Sequence, residues 1–227
     1  MAMAARILTR MATRLMTTDV LMLSQLLSPA FPVGAFAYSH GLERAVTDNT
    51  IHDAATLEAW LLDLIDMGGA RSDAVLVSVA YQTAPDGLAK LDAEARAFAA
   101  SAERLRETDL QGAAFCDAAR SVWGHEVTGL TYPVAVGHVA RLKGLDPELT
   151  IALYLQAFVA NLCGAAMRLV PLGQVDGQSV QAALLEPCAS LARELRSATL
   201  DDLFSNAWAS DIAAMRHETQ HTRIFRT

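Results

Sequence analysis

The nineteen residues Leu149–Met167 carry no charge, and no other stretch limits more tightly what this chain can fold into. At 1.5 Å of rise per residue, such a helix can cross a bilayer or run through the middle of a large core. Its own residues decide between the two. Gln156 and Asn161 interrupt it, Arg168 follows at once, and neither flanking lysines nor an aromatic belt marks its ends. No second apolar span stands ready to satisfy those amides in lipid. The stretch therefore predicts a central core helix and no membrane association. Ala160 and Gly164, four residues apart, leave a shallow groove on it, which predicts close approach of another helix and a subunit contact.

The remainder reads as helix around that centre. Asp19 is expected to cap a short helix over Val20–Leu27 that Pro29 ends. Helical spacing of Leu57, Trp60, Leu61, Leu64 and Ile65 predicts a helix over Thr56–Gly68. Val75, Val77 and Val79 alternate as in a strand, but a lone strand has no partner, so Ser72–Tyr81 is predicted helical. Pro85 opens a helix to about Ala100, Ser101 caps one to Trp123, and Tyr132-Pro133 starts one that stops at Gly144. Asp146-Pro147 starts the longest, to Val170. Asp176 begins another that bends at Pro187 and runs to Arg196; Leu200–Asn206 and Asp211–Gln220 close the chain. The prediction is an all-α, single-domain bundle of about ten helices over 19–227.

Charge and composition remove several classes of function. A net charge of −7 argues against a nucleic-acid partner. The only two lysines, Lys90 and Lys143, lie outside any glycine-rich phosphate loop, so nucleotide hydrolysis is not expected. Cys116, Cys163 and Cys188 are widely spaced among apolar residues and read as buried thiols in a reducing compartment, the cytoplasm. Residues 1–18 hold Arg6, Arg10 and Arg14 with no acid before Asp19, and are expected to form a flexible basic arm.

Two segments hold candidate chemistry. In Ser28–Glu43, SPAFPVGAFAYSHGLE, Pro29, Pro32 and Gly34 break any helix, yet Phe31, Val33 and Phe36 are too apolar for an exposed loop. From Phe36 the spacing predicts a short helix with Tyr38 and Leu42 on its buried face and Ser39, His40 and Glu43 outward. Ala37–Gly41 loosely follows a nucleophile elbow around Ser39, but no strand–helix alternation supports it, and a helix-surface hydroxyl is the plainer reading. The second segment, His217-Glu218-Thr219-Gln220-His221, has the letters of a zincin helix. Its third metal ligand would have to lie upstream, because none follows His221. A transient metal contact by His217 and His221, with His40 or His125, is the weaker alternative. The surrounding tail, about 215–227, sets Arg216, Arg223 and Arg226 around Ile224 and Phe225, as a cationic strip with two apolar anchors for docking onto a partner.

These segments, together with TYPVAVGHVA, NLCGAAMRLVPLGQVDGQ and DIAAMRHETQHTRIFRT, resemble the signature blocks of the urease accessory protein F family. SAERLRETDLQG fits a weaker fourth block. At the tail, His221 stands where the family has a familiar Tyr, so it is not carried over as a family ligand. The resemblance implies an all-α homodimer without catalytic activity or stably bound cofactor. It implies binding to accessory protein D (also called H), recruitment and regulation of the GTPase accessory protein G, and transient handling of nickel on its way to apo-urease. Carried over by position, it assigns the D/H contact to Arg216, His217, Arg223, Ile224, Phe225 and Arg226. The GTPase-facing surface falls to Pro32, Gly34, Tyr38, Ser39, His40, Glu43, Arg168 and Gln174.

Overall fold

A computed structural model describes residues 17–227, and no strand occurs among them. The protein is all-α. Helix α1 covers 17–26, so Asp19 lies inside it and does not cap it. The basic arm expected over 1–18 falls outside the described residues, apart from its last two positions. The chain continues through α2 (Leu42–Thr47), α3 (Ala54–Met67), α4 (Gly69–Gln82), α5 (Leu88–Ala97) and α6 (Ala102–Trp123). It then forms α7 (Tyr132–Lys143), α8 (Pro147–Leu169), α9 (Gln174–Ala183), α10 (Leu185–Leu195) and α11 (Trp208–His217).

Helix starts follow their capping chemistry. Ser101 accepts the Arg104 N–H at 3.2 Å and Asp146 accepts the Leu149 N–H at 2.7 Å. Asp53 and Thr56 form a reciprocal capping box that starts α3 two residues before the apolar spacing does. Pro187 sits in the first turn of α10, after a break at Leu184.

The core centres on α4 and α7, which pack most extensively against each other, with α8 packing on α4 and also on α9 and α10. Val75 and Val77 are buried with Ala70, Ala74, Leu76 and Ala80 on nearly every side of α4, which explains an alternation that only imitates a strand. Helix α8 is long and apolar enough to cross a membrane, and half of its most apolar stretch is buried. It packs on α2, α3, α4, α7, α9 and α10, as a core helix does. The groove at Ala160 and Gly164 forms part of the wall of a cavity that opens at the surface beside Phe36 and Arg168.

The break after α1 differs from expectation. Phe31 and Val33 are buried, but Phe36 is 68% exposed. Only a 3₁₀ turn, Ala35–Ala37, precedes Tyr38–Gly41, which is not helical. His40 and Gly41 take successive left-handed angles, φ 54° and 76°, and this reversal delays the helix to Leu42. It also presses α2 onto α11: a Cβ on Gly41 would stand 2.6 Å from the Ala214 nitrogen. Gly41→Ala is therefore expected to lower unfolding stability in urea by about 2–4 kcal/mol, combining left-handed strain with the clash. Gly164→Ala, whose Cβ meets nothing within 4 Å, should gain up to ~1 kcal/mol as an ordinary helix substitution.

Candidate functional site

The last four residues of the chain run alongside 37–43 and are held there by a buried carboxylate. Glu43, in the first turn of α2, is 5% exposed. Its Oε1 accepts the Ile224 N–H at 2.7 Å and its Oε2 the Phe225 N–H at 2.8 Å. The His217 Nε2 lies 3.4 Å from the same Oε2, and its Nδ1 lies 2.7 Å from Glu103 Oε2. Glu103 then takes Arg223 Nη1 at 2.5 Å. Further along, the Arg226 N–H donates to the Ala37 carbonyl at 2.9 Å, and the Ser39 N–H to the Thr227 main-chain oxygen at 3.2 Å. The Ser39 hydroxyl donates to that same oxygen. Phe225 is 3% exposed, and the Arg168 guanidinium lies 4.4 Å from its ring centroid.

A second cluster lies just inside, on α6. Glu107 receives Arg104 Nη1 at 2.7 Å, His40 Nε2 at 2.9 Å, Gln111 Nε2 at 3.0 Å and the Thr227 hydroxyl at 3.0 Å. Burial opposes its ionisation, but Arg104 and His40 outweigh burial and hold the carboxyl down at about 2, from an ordinary 4.5. Asp73 on α4 accepts the Tyr154 hydroxyl at 2.8 Å and faces Arg104 at 3.7 Å. Burial pushes its pKa up against those partners. Burial raises the Tyr154 phenol well above 10, and Asp73 adds to the shift. These groups border a cavity of about 330 Å³ whose wall also carries Ser28, Thr108, Gln111, Asn161 and Arg168 beside apolar residues such as Leu27, Val33, Phe36 and Phe158.

The structure sorts the sequence-predicted residues by depth. Arg216, Ile224, Arg226, Pro32, Arg168 and Gln174 are exposed, with Ile224 at 69%; Arg223 is also exposed, and Gly34 is half-buried. Tyr38, Ser39, Glu43, His217 and Phe225 are buried, and His40 is tied into the Glu107 cluster. Phe225 and His217 are therefore packing and anchoring groups of this chain, and only Ile224 of the two apolar tail residues faces outward.

The hydrolase alternatives lose their geometry. Ser39 is neither a surface hydroxyl nor a nucleophile beside a base: it is fully buried on Thr227, and its neighbour His40 turns to Glu107. Helix α11 ends at His217, so His217 and His221 do not share a helical face, and both ring nitrogens of His217 meet carboxylates. Glu218 accepts the Ala102 N–H at the start of α6. Among the described residues, no group of three or more His, Cys, Asp or Glu is placed to hold a metal.

Sequence reasoning missed Glu103, Arg104, Glu107 and Asp73 as site residues. The signal available was Glu103, Glu107 and Gln111 at a four-residue spacing, which puts polar side chains in line on one face of a predicted helix.

This is a helical protein that fixes its own tail against an irregular polar segment, with no nucleophile–base pair or metal cluster assembled there. The family model described as UreF matches residues 51–185. The chain is 49% identical to the urease accessory protein UreF of Roseobacter denitrificans, over 94% of this chain and 96% of the relative. It is 48% identical to that of Ruegeria pomeroyi, over 92% and 97%, and 52% identical to that of Ruegeria sp. strain TM1040, over 93% and 100%. The chain belongs to the UreF family.

Two predictions follow from the anchoring geometry. Glu43→Gln should speed hydrogen exchange at the Ile224 and Phe225 amides by at least about tenfold relative to amides of α4; unchanged protection would show that Glu43 does not hold the tail. Glu107, with a folded-state pKa below its unfolded one, contributes fully above about pH 4.5, and that contribution fades as pH falls toward 2. Glu107→Gln should therefore lose on the order of 3 kcal/mol near pH 7 and progressively less toward pH 2. The difference between the two urea-unfolding curves reads the Glu107 carboxylate together with its charge coupling to Asp73, whose pKa Glu107 helps to raise.

Proposed function

We propose that this chain is a non-enzymatic accessory protein of urease maturation that works by offering surface to other proteins. In this reading it acts in the cytoplasm as a homodimer, binds accessory protein D/H, and recruits and regulates the GTPase accessory protein G. Nickel passes to apo-urease through the assembly without a resident site on this chain. Support for the urease role comes from the name carried by the relatives, urease accessory protein UreF. The three buried free cysteines fit a reducing compartment.

One observation carries the surface reading. The tail and the Ser28–Glu43 segment, which the resemblance assigns to two different partners, form a single face. Arg168 ties them together, donating to the Phe36 carbonyl at 3.0 Å while covering Phe225. Phe36 and Ile224 stand out from that face at 68% and 69% exposure, with Arg168, Arg223 and Arg226 around them. Exposed apolar residues among arginines suit protein association.

Deleting the tail would also strip Glu43 and Glu107 of partners, so substitutions on the outward side give the cleaner test. Ile224→Asp combined with Arg226→Glu is expected to abolish co-purification with the D/H partner while leaving helical circular dichroism and Tm unchanged. Undiminished co-purification would remove the tail from the interface.

A further inference from the structure

The two carboxylates that hold the tail meet on one imidazole. His217, at the end of α11, is 0% exposed, with Glu103 Oε2 at 2.7 Å from its Nδ1 and Glu43 Oε2 at 3.4 Å from its Nε2. Glu43 accepts the Ile224 and Phe225 N–H groups, and Glu103 accepts Arg223. Every side-chain acceptor of residues 223–225 is therefore in contact with this ring.

A neutral imidazole has one N–H and one lone pair, so it donates to one carboxylate and turns its lone pair on the other. The missing proton has no good place on either acid. Glu43 already uses both oxygens as acceptors for main-chain N–H groups, and Glu103 is paired with Arg223. An imidazolium donates to both. With it, Glu43, Glu103, His217 and Arg223 sum to zero charge; without it, one negative charge is left over in a largely buried cluster.

Among the described residues, the other charged groups around α11 do not take its place. Helix α11 packs on α2 and α6. On α2, Arg44 is committed to Asp48. On α6, Arg104 is divided between Glu107 and Asp73, and Arg106 is exposed. On α11 and just beyond it, Arg216 turns to Asp48, Asp211 accepts the Ser205 hydroxyl and Glu218 accepts the Ala102 N–H. In the tail, His221 and Arg226 are exposed. His40 serves the far end, where its N–H donates to the Thr227 hydroxyl and its ring faces Glu107.

We propose that His217 is a proton-operated clasp: the tail lies against α2 and α6 while the ring carries both protons, and loosens as rising pH removes one. The hold is complete at the acidic end of the range in which imidazoles change charge, about pH 5–8, and is lost toward the alkaline end. Ile224 and Arg226 belong to the face proposed above for docking, so the shape of that face follows pH. That consequence rests on the docking reading; the clasp itself does not.

Histidine-ring NMR of the full chain, read beside hydrogen exchange at the Ile224 and Phe225 amides corrected for its intrinsic pH dependence, tests the clasp. As the His217 ring loses its second proton, protection at both amides is expected to fall by at least about tenfold, with α4 amides unchanged. His217→Gln cannot carry the charge, and should show the low protection at every pH with no step. His40→Asn removes the other imidazole that touches the tail and suits a left-handed backbone, so there the step should remain. A His217 ring that keeps one protonation state from about pH 5 to 9, titration without loss of protection, or a step that disappears in His40→Asn each overturns the proposal. No partner enters these measurements, so their failure is distinct from that of the co-purification test.

Discussion

A buried carboxylate with two main-chain amides to satisfy is the constraint on which this structure turns. Residues 224–227 belong to no helix, so their N–H groups need acceptors from elsewhere in the chain. Glu43 supplies one oxygen to Ile224 and the other to Phe225, across 181 and 182 residues of sequence. Charge-assisted bonds of this kind are among the stronger ones. They are also unforgiving, because removing either side leaves a buried polar group without a partner. The left-handed pair His40–Gly41 acquires its purpose from this need: it starts α2 where Glu43 can face the tail and lets α11 approach closely enough for His217 to reach it.

Helix α6 extends the same logic inward. Glu103 and Glu107, one turn apart, divide the work: Glu103 takes His217 and Arg223 at the tail, and Glu107 takes Thr227 together with His40 and Arg104. A single helix face thus serves both the outer strap and the wall of the cavity. Thr227 and Arg104 share one carboxylate, so a displacement of the tail is felt at the cavity wall without any intervening packing to absorb it.

How much of this could be read from residues depended on whether the cause was local. Ser101, Asp146 and Pro147 announce their helices because capping uses neighbours within one turn. The uncharged run in α8 and the breaking power of Pro29 and Pro32 are equally local. The His40–Gly41 reversal was not legible, since a histidine at positive φ is sustained by contacts on α6 and α8. Ile224 and Phe225 were recognisable as a pair of apolar anchors. Which of them faces inward is decided by Arg168 and by the register that Glu43 imposes, and neither is visible in the tail itself. The His217–His221 letters misled for a related reason: they imply a continuing helix, whereas α11 stops and Glu218 turns to Ala102 at the start of α6.

The interior cluster is an expensive way to fill space. A buried Arg104 with two carboxylates pays desolvation that its pairing only partly returns, and apolar side chains of similar volume often serve stability as well or better. Helices α4, α6 and α8 already bring Val77, Phe115, Leu155 and Leu162 into the core, so apolar packing was available to them. A cavity wall that carries Asp73, Tyr132, Gln111 and Asn161 is therefore not what packing alone would produce. Stability accounts for the Glu107 side of the cluster, where every partner is met and the tail is held. The Asp73 side, where burial raises the pKa of the carboxyl and of the Tyr154 phenol that it accepts, gains no comparable support from the tail.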